Sequence, residues 1–404
     1  MIMDNDTSQN IQSETSLLDL FIKSLFYCFV LAVAFYMYYK QVFVFPKNWS
    51  DTALHLDFVR QYNEGKIYIA HPIFHLSVIY ISKITGLTFE YSAVLVMTFF
   101  ICLIYIIIRS IIGHFLKGSY GEAMMQFMTF ITMTVSAIYV PFYNKNIYLG
   151  QWSPNPWHNP TIIVLKPFAL VTFFLFVVLV EDYFGGKTIN RRRWRFFLFI
   201  FAVLMAVSCF AKPNWVLCFV PAIFIYLFFF RKFHLKLSAL AVALLIPTGL
   251  ALTYQFFKTY KTVDGDRIIF DFLGVWRQYS PNIFISILLA TAFPVGLLLL
   301  RFRETTQNHF LILAWIVFLV ALLQYSLLAE GVKYKACNFG WGYLMSLHIL
   351  FLFSIVEFFR WLKYPQKKAP FERLKIFIVA NLLNLHFMCG IFYFIKYIIT
   401  ADYH

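Results

Sequence analysis

Runs of about twenty apolar residues recur from residue 17 to residue 399, with little chain between them. A helix needs about 17–25 such residues to cross a bilayer. The runs do not alternate apolar with polar residues, as barrel strands must. A chain of this kind folds as a polytopic bundle, with every backbone group in lipid satisfied inside its own helix. The reading is therefore an all-α membrane protein of about eleven spans. They cover 17–39, 89–112, 121–142, 162–183, 194–210, 216–230, 237–257, 283–300, 310–329, 343–362 and 376–399. Charged residues make up only 13% of the chain, about half the share of a soluble domain.

Residues 1–16 are polar and read as a short disordered cytoplasmic tail, with no cleavable signal. Residues 17–404 read as one transmembrane domain, with 40–88 its first outer loop. Five of the six cysteines lie in apolar runs and Cys337 in a polar loop. Their spacing indicates neither a disulfide nor a zinc site.

Basic clusters fall in every second loop: "KTINRRRWR", "RKFHLK", "RFRE" and "RWLKYPQKKAPFERLK". Placing these loops in the cytoplasm puts the amino terminus inside and the carboxyl terminus outside. "HPIFHLSVIYISKITGL", residues 71–87, is apolar enough for a short span. Counting it would invert every later helix and expel the Arg191–Arg193 cluster, so it reads as an interfacial helix. The outer loops stay basic, which suits lipid headgroups or an anionic lipid such as a polyprenyl phosphate.

The densest acid–base chemistry lies in "NWSDTALHLDFVRQYNEGKIYIAHPIFHL", residues 48–76. Ser50 can cap a helix starting at Asp51. Asp51 and His55 then share a face, and Asp57 points elsewhere. Gly65 ends that helix, and Pro72 opens the next. His71 and His75 read as packing residues.

This stretch resembles the first outer loop of GT-C glycosyltransferases, integral membrane enzymes that use lipid-phosphate-linked sugars. Many carry an acid just after the first span, in a pattern like D-E-x-x-Y. A short helix, a glycine and a "PPL"-type turn into a second amphipathic helix follow. Asp51 holds the acidic position, His55 the tyrosine place, and Gly65 and Pro72 the glycine and proline places. Thr52 replaces the second acid, and only one proline is present. The resemblance covers about forty residues. It implies a GT-C-like fold, a polyprenyl-phosphate sugar donor, a glycan or lipid-linked acceptor and a periplasmic site in a bacterial inner membrane. Its expected product is a cell-envelope polysaccharide.

Asp51, His55 and Asp57 are the catalytic candidates. "GQWSPNPWHNP" offers Trp152, Trp157, His158 and Asn159, either as membrane-interface anchors or as a sugar platform. "AKPNW" offers Lys212 for a phosphate, and "EGVKYKACNFGWG" offers Glu330, Lys333, Lys335 and Asn338. Arg267, inside "VDGDRIIFDF", and Arg277, just after it, are candidate phosphate contacts; the run itself lacks the later ligands of a calcium loop. No metal and no cofactor are expected. Lys166, about a turn into a span, is a further candidate because ionisable groups at that depth usually have a use.

Competing readings are a polysaccharide polymerase or ligase with lipid-linked substrates on both sides, a lipid or glycan transporter, and a membrane acyltransferase built on His386 with Asn381 or Asn384. No inverted repeat of the transporter kind is evident.

Overall fold

The computed structural model describes residues 17–45, 50–185, 191–231, 234–262, 267–363 and 370–400. The proposed tail at 1–16 and the first residues of the 263–272 run lie outside them. Helices are α1 Leu17–Tyr39, α2 Asp51–Asn63, α3 Ile73–Thr85, α4 Phe89–Leu116, α5 Glu122–Thr134, α6 Pro160–Phe184, α7 Arg191–Ala211 and α8 Asn214–Phe230. They continue with α9 Leu235–Thr262, α10 Gly274–Arg277, α11 Ile283–Leu300, α12 Phe302–Thr305, α13 His309–Leu327, α14 Gly340–Lys363 and α15 Pro370–Thr400. Among the described residues, nine helices are long and apolar enough to cross a membrane; α3 and α8 are shorter apolar helices. The chain is an all-α polytopic membrane protein. One small addition escaped the sequence: β1 Ile268–Phe270 pairs antiparallel with β2 Leu328–Glu330, Ile268 opposite Glu330.

The centre of the bundle is α14. Every residue from Gly340 to Phe359 on it is buried. Its apolar face has no lipid to meet, so it packs against α13 and α8. Gly340 lets it approach closely: a Cβ there would lie 3.3 Å from the Tyr325 ring. By contrast α1 turns most of its surface outward, with Phe21, Leu25 and Phe29 exposed.

The span expected at 121–142 is corrected. Its helix, α5, stops at Thr134. Thr129 and Thr132 bond back to their i−4 carbonyls, a habit that weakens helices. The chain then runs extended, its amides taken by other helices. Ser136 donates to the His386 carbonyl (3.2 Å) and Ile138 to the Leu289 carbonyl (2.9 Å). Carbonyls released at Thr132 and Val135 accept from Asn155 Nδ2 at 3.2 and 2.9 Å. Gly390 of α15 crosses where the helix ends; a Cβ there would fall on the Thr134 carbonyl. Such backbone is tolerated at membrane depth only when walled in by protein, and 151–160 is buried throughout.

Lys166 belongs to this wall. Its ammonium donates to Asn155 Oδ1 (2.7 Å) and to the Pro154 carbonyl (3.2 Å). His386 is also structural. One ring nitrogen donates to the Ser136 carbonyl (2.6 Å), and the other accepts from the Phe293 amide (3.2 Å). Asn381 and Asn384 are exposed, so the acyltransferase pair does not assemble.

The loop helices form as the sequence indicates. Ser50 caps α2 and accepts from the Thr52 amide at 3.1 Å. Gly65 sits at φ 71°, where a side chain would be strained. At 13 residues, about 20 Å long, α3 is too short to cross a ~30 Å core.

Candidate functional site

One end of the bundle gathers α2, α3, the start of α6, the α7–α8 turn and the loop between α13 and α14. Asp51 is the first residue of α2, where the helix dipole favours a carboxylate. Its Oδ2 accepts from Asn159 Nδ2 at 2.6 Å. The other end of the Asn159 amide caps α6, accepting from the Ile162 amide (3.0 Å) and the Thr161 hydroxyl (2.8 Å). One side chain thus fixes both the helix start and the carboxylate.

Gln41, which the sequence did not mark, sits beneath. The end of α1 widens into a π-turn over Lys40–Val44, a device often found at functional sites. It carries Gln41 into a fully buried position. Its Oε1 lies 2.9 Å from Ser50 Oγ and 3.1 Å from Thr52 Oγ1, and its Nε2 reaches the Trp157 carbonyl at 3.5 Å. Ser50 Oγ is also 3.2 Å from the His158 carbonyl. The irregular end of a long apolar run leaves no periodic signal, which is why Gln41 was missed.

Lys212 is buried in the turn between α7 and α8. It donates to Thr161 Oγ1 at 2.9 Å and lies 4.5 Å from the centre of the Trp341 ring. Burial pulls it down to about 8, while Asp51 and Glu330, both within electrostatic reach, pull it up. At neutral pH it stays mostly charged and sheds its proton far more readily than a surface lysine.

Three histidines line the adjoining wall. His55 Nδ1 and His75 Nε2 are 3.0 Å apart, so one ring donates to the other. Burial holds His75 down to about 4. It holds His55 well below its ordinary value, reinforced by His75, Lys212 and His71. It brings His71 to about 3, with help from Lys212, His75 and Lys333. All three imidazoles are therefore neutral at physiological pH. The adjoining 66–72 segment is pinned by Gln255, which donates to the Ala70 carbonyl (2.6 Å) and the Cys209 carbonyl (2.9 Å).

Across the site Asn338 Nδ2 donates to Glu330 Oε2 (2.6 Å), and Asn214 Nδ2 to the Asn338 carbonyl (2.6 Å). Lys333 is exposed, yet close enough to His71 to act on it. Asp51, His55, Asn159, Lys212, Glu330, Lys333 and Asn338 therefore converge. Asp57 does not: it is exposed and accepts from Gln61 Nε2 at 2.8 Å. Arg267 and Arg277 are exposed like Lys333, and the Arg267 carbonyl accepts from the Gly331 amide (2.9 Å), beside Glu330. Lys335 turns its side chain to solvent, and its carbonyl accepts from the Tyr279 hydroxyl (2.9 Å).

Trp152 and Trp157 are buried, not laid open as a platform. The Trp152 ring meets those of Tyr279 (5.7 Å) and Tyr325 (5.9 Å). The His158 ring meets Tyr148 (4.7 Å) and Trp341 (6.2 Å). The three non-glycine residues with positive φ among those described, Trp152, Leu273 and Cys337, all lie in loops at this end. Such strain concentrates where surrounding structure over-determines a functional site.

Several charges at the opposite end form ion pairs. Arg109 bonds Glu122, Arg231 bonds Glu181, and Arg301 lies 3.4 Å from Glu357. Among the described residues no group of three His, Cys, Asp or Glu side chains could hold a metal ion. No protein-family model matches the chain, and neither the curated proteins nor the solved structures include a match.

Proposed function

We propose that the protein is a membrane glycosyltransferase of GT-C type. It moves a sugar from a polyprenyl phosphate to a hydroxyl of a glycan or lipid-linked acceptor on the outer face of a bacterial inner membrane, in the synthesis of an envelope polysaccharide. The observation that carries this reading is a carboxylate held at a helix start, Asp51 on Asn159, within electrostatic reach of the buried cation Lys212.

A sugar hydroxyl is a poor nucleophile at neutral pH. Asp51 takes its proton as the new carbon–oxygen bond forms, a contribution of about 10²–10⁴ in rate. The bond from the anomeric carbon to the phosphate oxygen breaks, and the lipid phosphate leaves with the electron pair. Because attack comes opposite the leaving group, the anomeric centre inverts. The leaving group is already an anion, so it needs cations rather than a proton. Lys212, fixed in place before the reaction, and Lys333 at the rim supply them. The neutral histidines add hydrogen-bonding partners without extra charge, and Glu330 with Asn338 offers sugar contacts.

The test is a transfer assay on purified protein in nanodiscs with a labelled polyprenyl-phosphate sugar. Asp51→Asn keeps the shape and one hydrogen-bond acceptor but removes the base. Turnover should fall about 10²–10⁴-fold while donor binding survives. Near-normal turnover of Asp51→Asn would reject the assignment.

A further inference from the structure

His55 of α2 and His75 of α3 form a pair whose protons can be placed. His55 Nδ1 faces His75 Nε2 at 3.0 Å. Phe58 and Phe74 pack on both rings. The His55 ring stands nearly perpendicular to theirs at 5.7 and 6.0 Å, and the His75 ring lies 5.4 Å from Phe74 and 6.4 Å from Phe58. His75 is fully buried, and its other nitrogen, Nδ1, has no hydrogen-bond partner. His55 is 9% exposed, and its Nε2 is not sealed in.

A neutral imidazole has one N–H and one bare nitrogen. Both rings are neutral at physiological pH, so two arrangements are open. In the first, His55 Nδ1 donates. His75 then keeps its own proton on Nδ1, an N–H buried without a partner, and His55 turns a bare Nε2 to the site. In the second, His75 Nε2 donates. The buried Nδ1 of His75 is then a bare acceptor, and His55 carries its proton on Nε2, toward the site. Proteins bury orphaned N–H groups more rarely than orphaned acceptors, which favours the second. The setting of His55 agrees. It stands about 6 Å along α2 from Asp51, on the same face, within electrostatic reach of Lys212 and His71. A neutral nitrogen facing the cationic side serves an anion held there only if it carries a proton.

We infer that His75 is a positioning residue: it donates to His55 Nδ1 and so fixes on His55 Nε2 a neutral N–H that bonds a phosphate oxygen of the lipid substrate. The inference rests on the transferase reading above for the identity of that anion. It adds to the reaction a hydrogen-bond donor and the residue that sets it. In the bound donor the phosphate is a diester with a single negative charge. As it leaves it becomes a monoester, with a charge of about two. The bond from Nε2–H therefore strengthens while the bond to the anomeric carbon breaks, and helps the transition state more than the bound donor. Neither histidine gains or loses a proton in this step, and Asp51 keeps the one taken from the acceptor hydroxyl.

The test is nitrogen NMR of the full protein, carrying isotope-labelled histidine, in phosphatidylcholine nanodiscs at neutral pH. The His55 signals are those lost in His55→Gln. Protonated and bare ring nitrogens resonate apart, so the tautomer is read directly. The wild type should show His55 protonated at Nε2 and bare at Nδ1. Farnesyl phosphate should move the Nε2 signal, whereas farnesol, or inorganic phosphate at the same concentration, should leave it in place. In His75→Glu, whose carboxylate only accepts, the His55 proton should pass to Nδ1. His75→Met, which buries no charge, is the second variant should His75→Glu fold poorly. Its kcat in the transfer assay should fall about tenfold with little change in donor KM, and His75→Gln, whose amide can donate from the same place, should recover part of that loss. A wild-type His55 protonated at Nδ1 would overturn the inference. So would an Nε2 signal that farnesyl phosphate does not move, or that farnesol or inorganic phosphate moves as far, and so would a His75→Met turnover equal to wild type. A wild-type protein that shows the shift yet transfers no sugar would instead remove the transferase reading and leave this contact standing.

Discussion

Replacing Asn159 by Asp tests how the site holds its carboxylate. Asn159 does two jobs: Oδ1 caps α6 and Nδ2 donates to Asp51 at 2.6 Å. An aspartate is as good a cap, so α6 should survive. The donor, however, becomes a second carboxylate against the first. Two like charges about 4 Å apart at an effective dielectric of ~20 repel by about 4 kcal/mol. The pair relieves this by keeping one proton, which raises the pKa of one carboxyl by about one to three units. A protonated Asp51 cannot act as a base. In a pH–rate profile the acid limb of Asn159→Asp should therefore move up by that amount, with activity partly recovered near pH 8. Asn159→Ala, by contrast, loses the cap, about 1 kcal/mol of stability, and should not move the limb upward to the same degree. An Asn159→Asp acid limb that coincides with the wild type would refute the idea that this contact governs the base.

The remaining predictions use the cations, the histidines and the buried lysine. Lys212 is held at about 8, so donor affinity should fall as pH rises through that value. Lys212→Arg, which keeps its charge, should bind without that loss. Lys333→Ala should weaken donor binding about tenfold or more, the worth of a charge-assisted contact, whereas Lys335→Ala should do little; equal effects would place the phosphate elsewhere. His75 is held at about 4 against a usual 6.5. Below pH 6.5 the unfolded chain takes a proton that the folded one refuses. The share of stability that His75 supplies should therefore be full above that pH and fall by roughly 3 kcal/mol toward pH 4, with His55 and His71 losing stability in the same direction. Thermal unfolding across this range checks it, and His75→Gln should make the trend shallower without abolishing it. Lys166→Met leaves Asn155 Oδ1 and the Pro154 carbonyl without their buried donor, about 1–3 kcal/mol for each. It should lower the detergent melting temperature.

Much of the architecture was legible because lipid imposes a simple rule on sequence. Apolar length marks the helices, and Ser50, Gly65 and Pro72 mark the ends of α2 and α3 through their own backbone chemistry. Asp51 and Asn159 were each visible as candidates, but their contact was not, since 108 residues separate them. The break at Thr134 escaped notice because hydropathy does not distinguish a helix from extended chain walled in by protein. Asn155, whose amide makes that break tolerable, looked like one more polar residue in a proline-rich loop. Asp57 shares the residue type of Asp51 but is exposed and bonded to Gln61, and only the fold separates the two. His71 and His75 read as packing residues, yet His75 bonds the candidate His55 and His71 borders Lys212.

The most direct measurement is a density map of the protein with a polyprenyl-phosphate sugar bound. The account places the phosphate between Lys212 and Lys333, with the anomeric carbon turned toward Asp51. A phosphate seated instead among Arg191, Arg192 and Arg193 at the opposite end, or a sugar turned away from Asp51 with Lys212 unengaged, would contradict it.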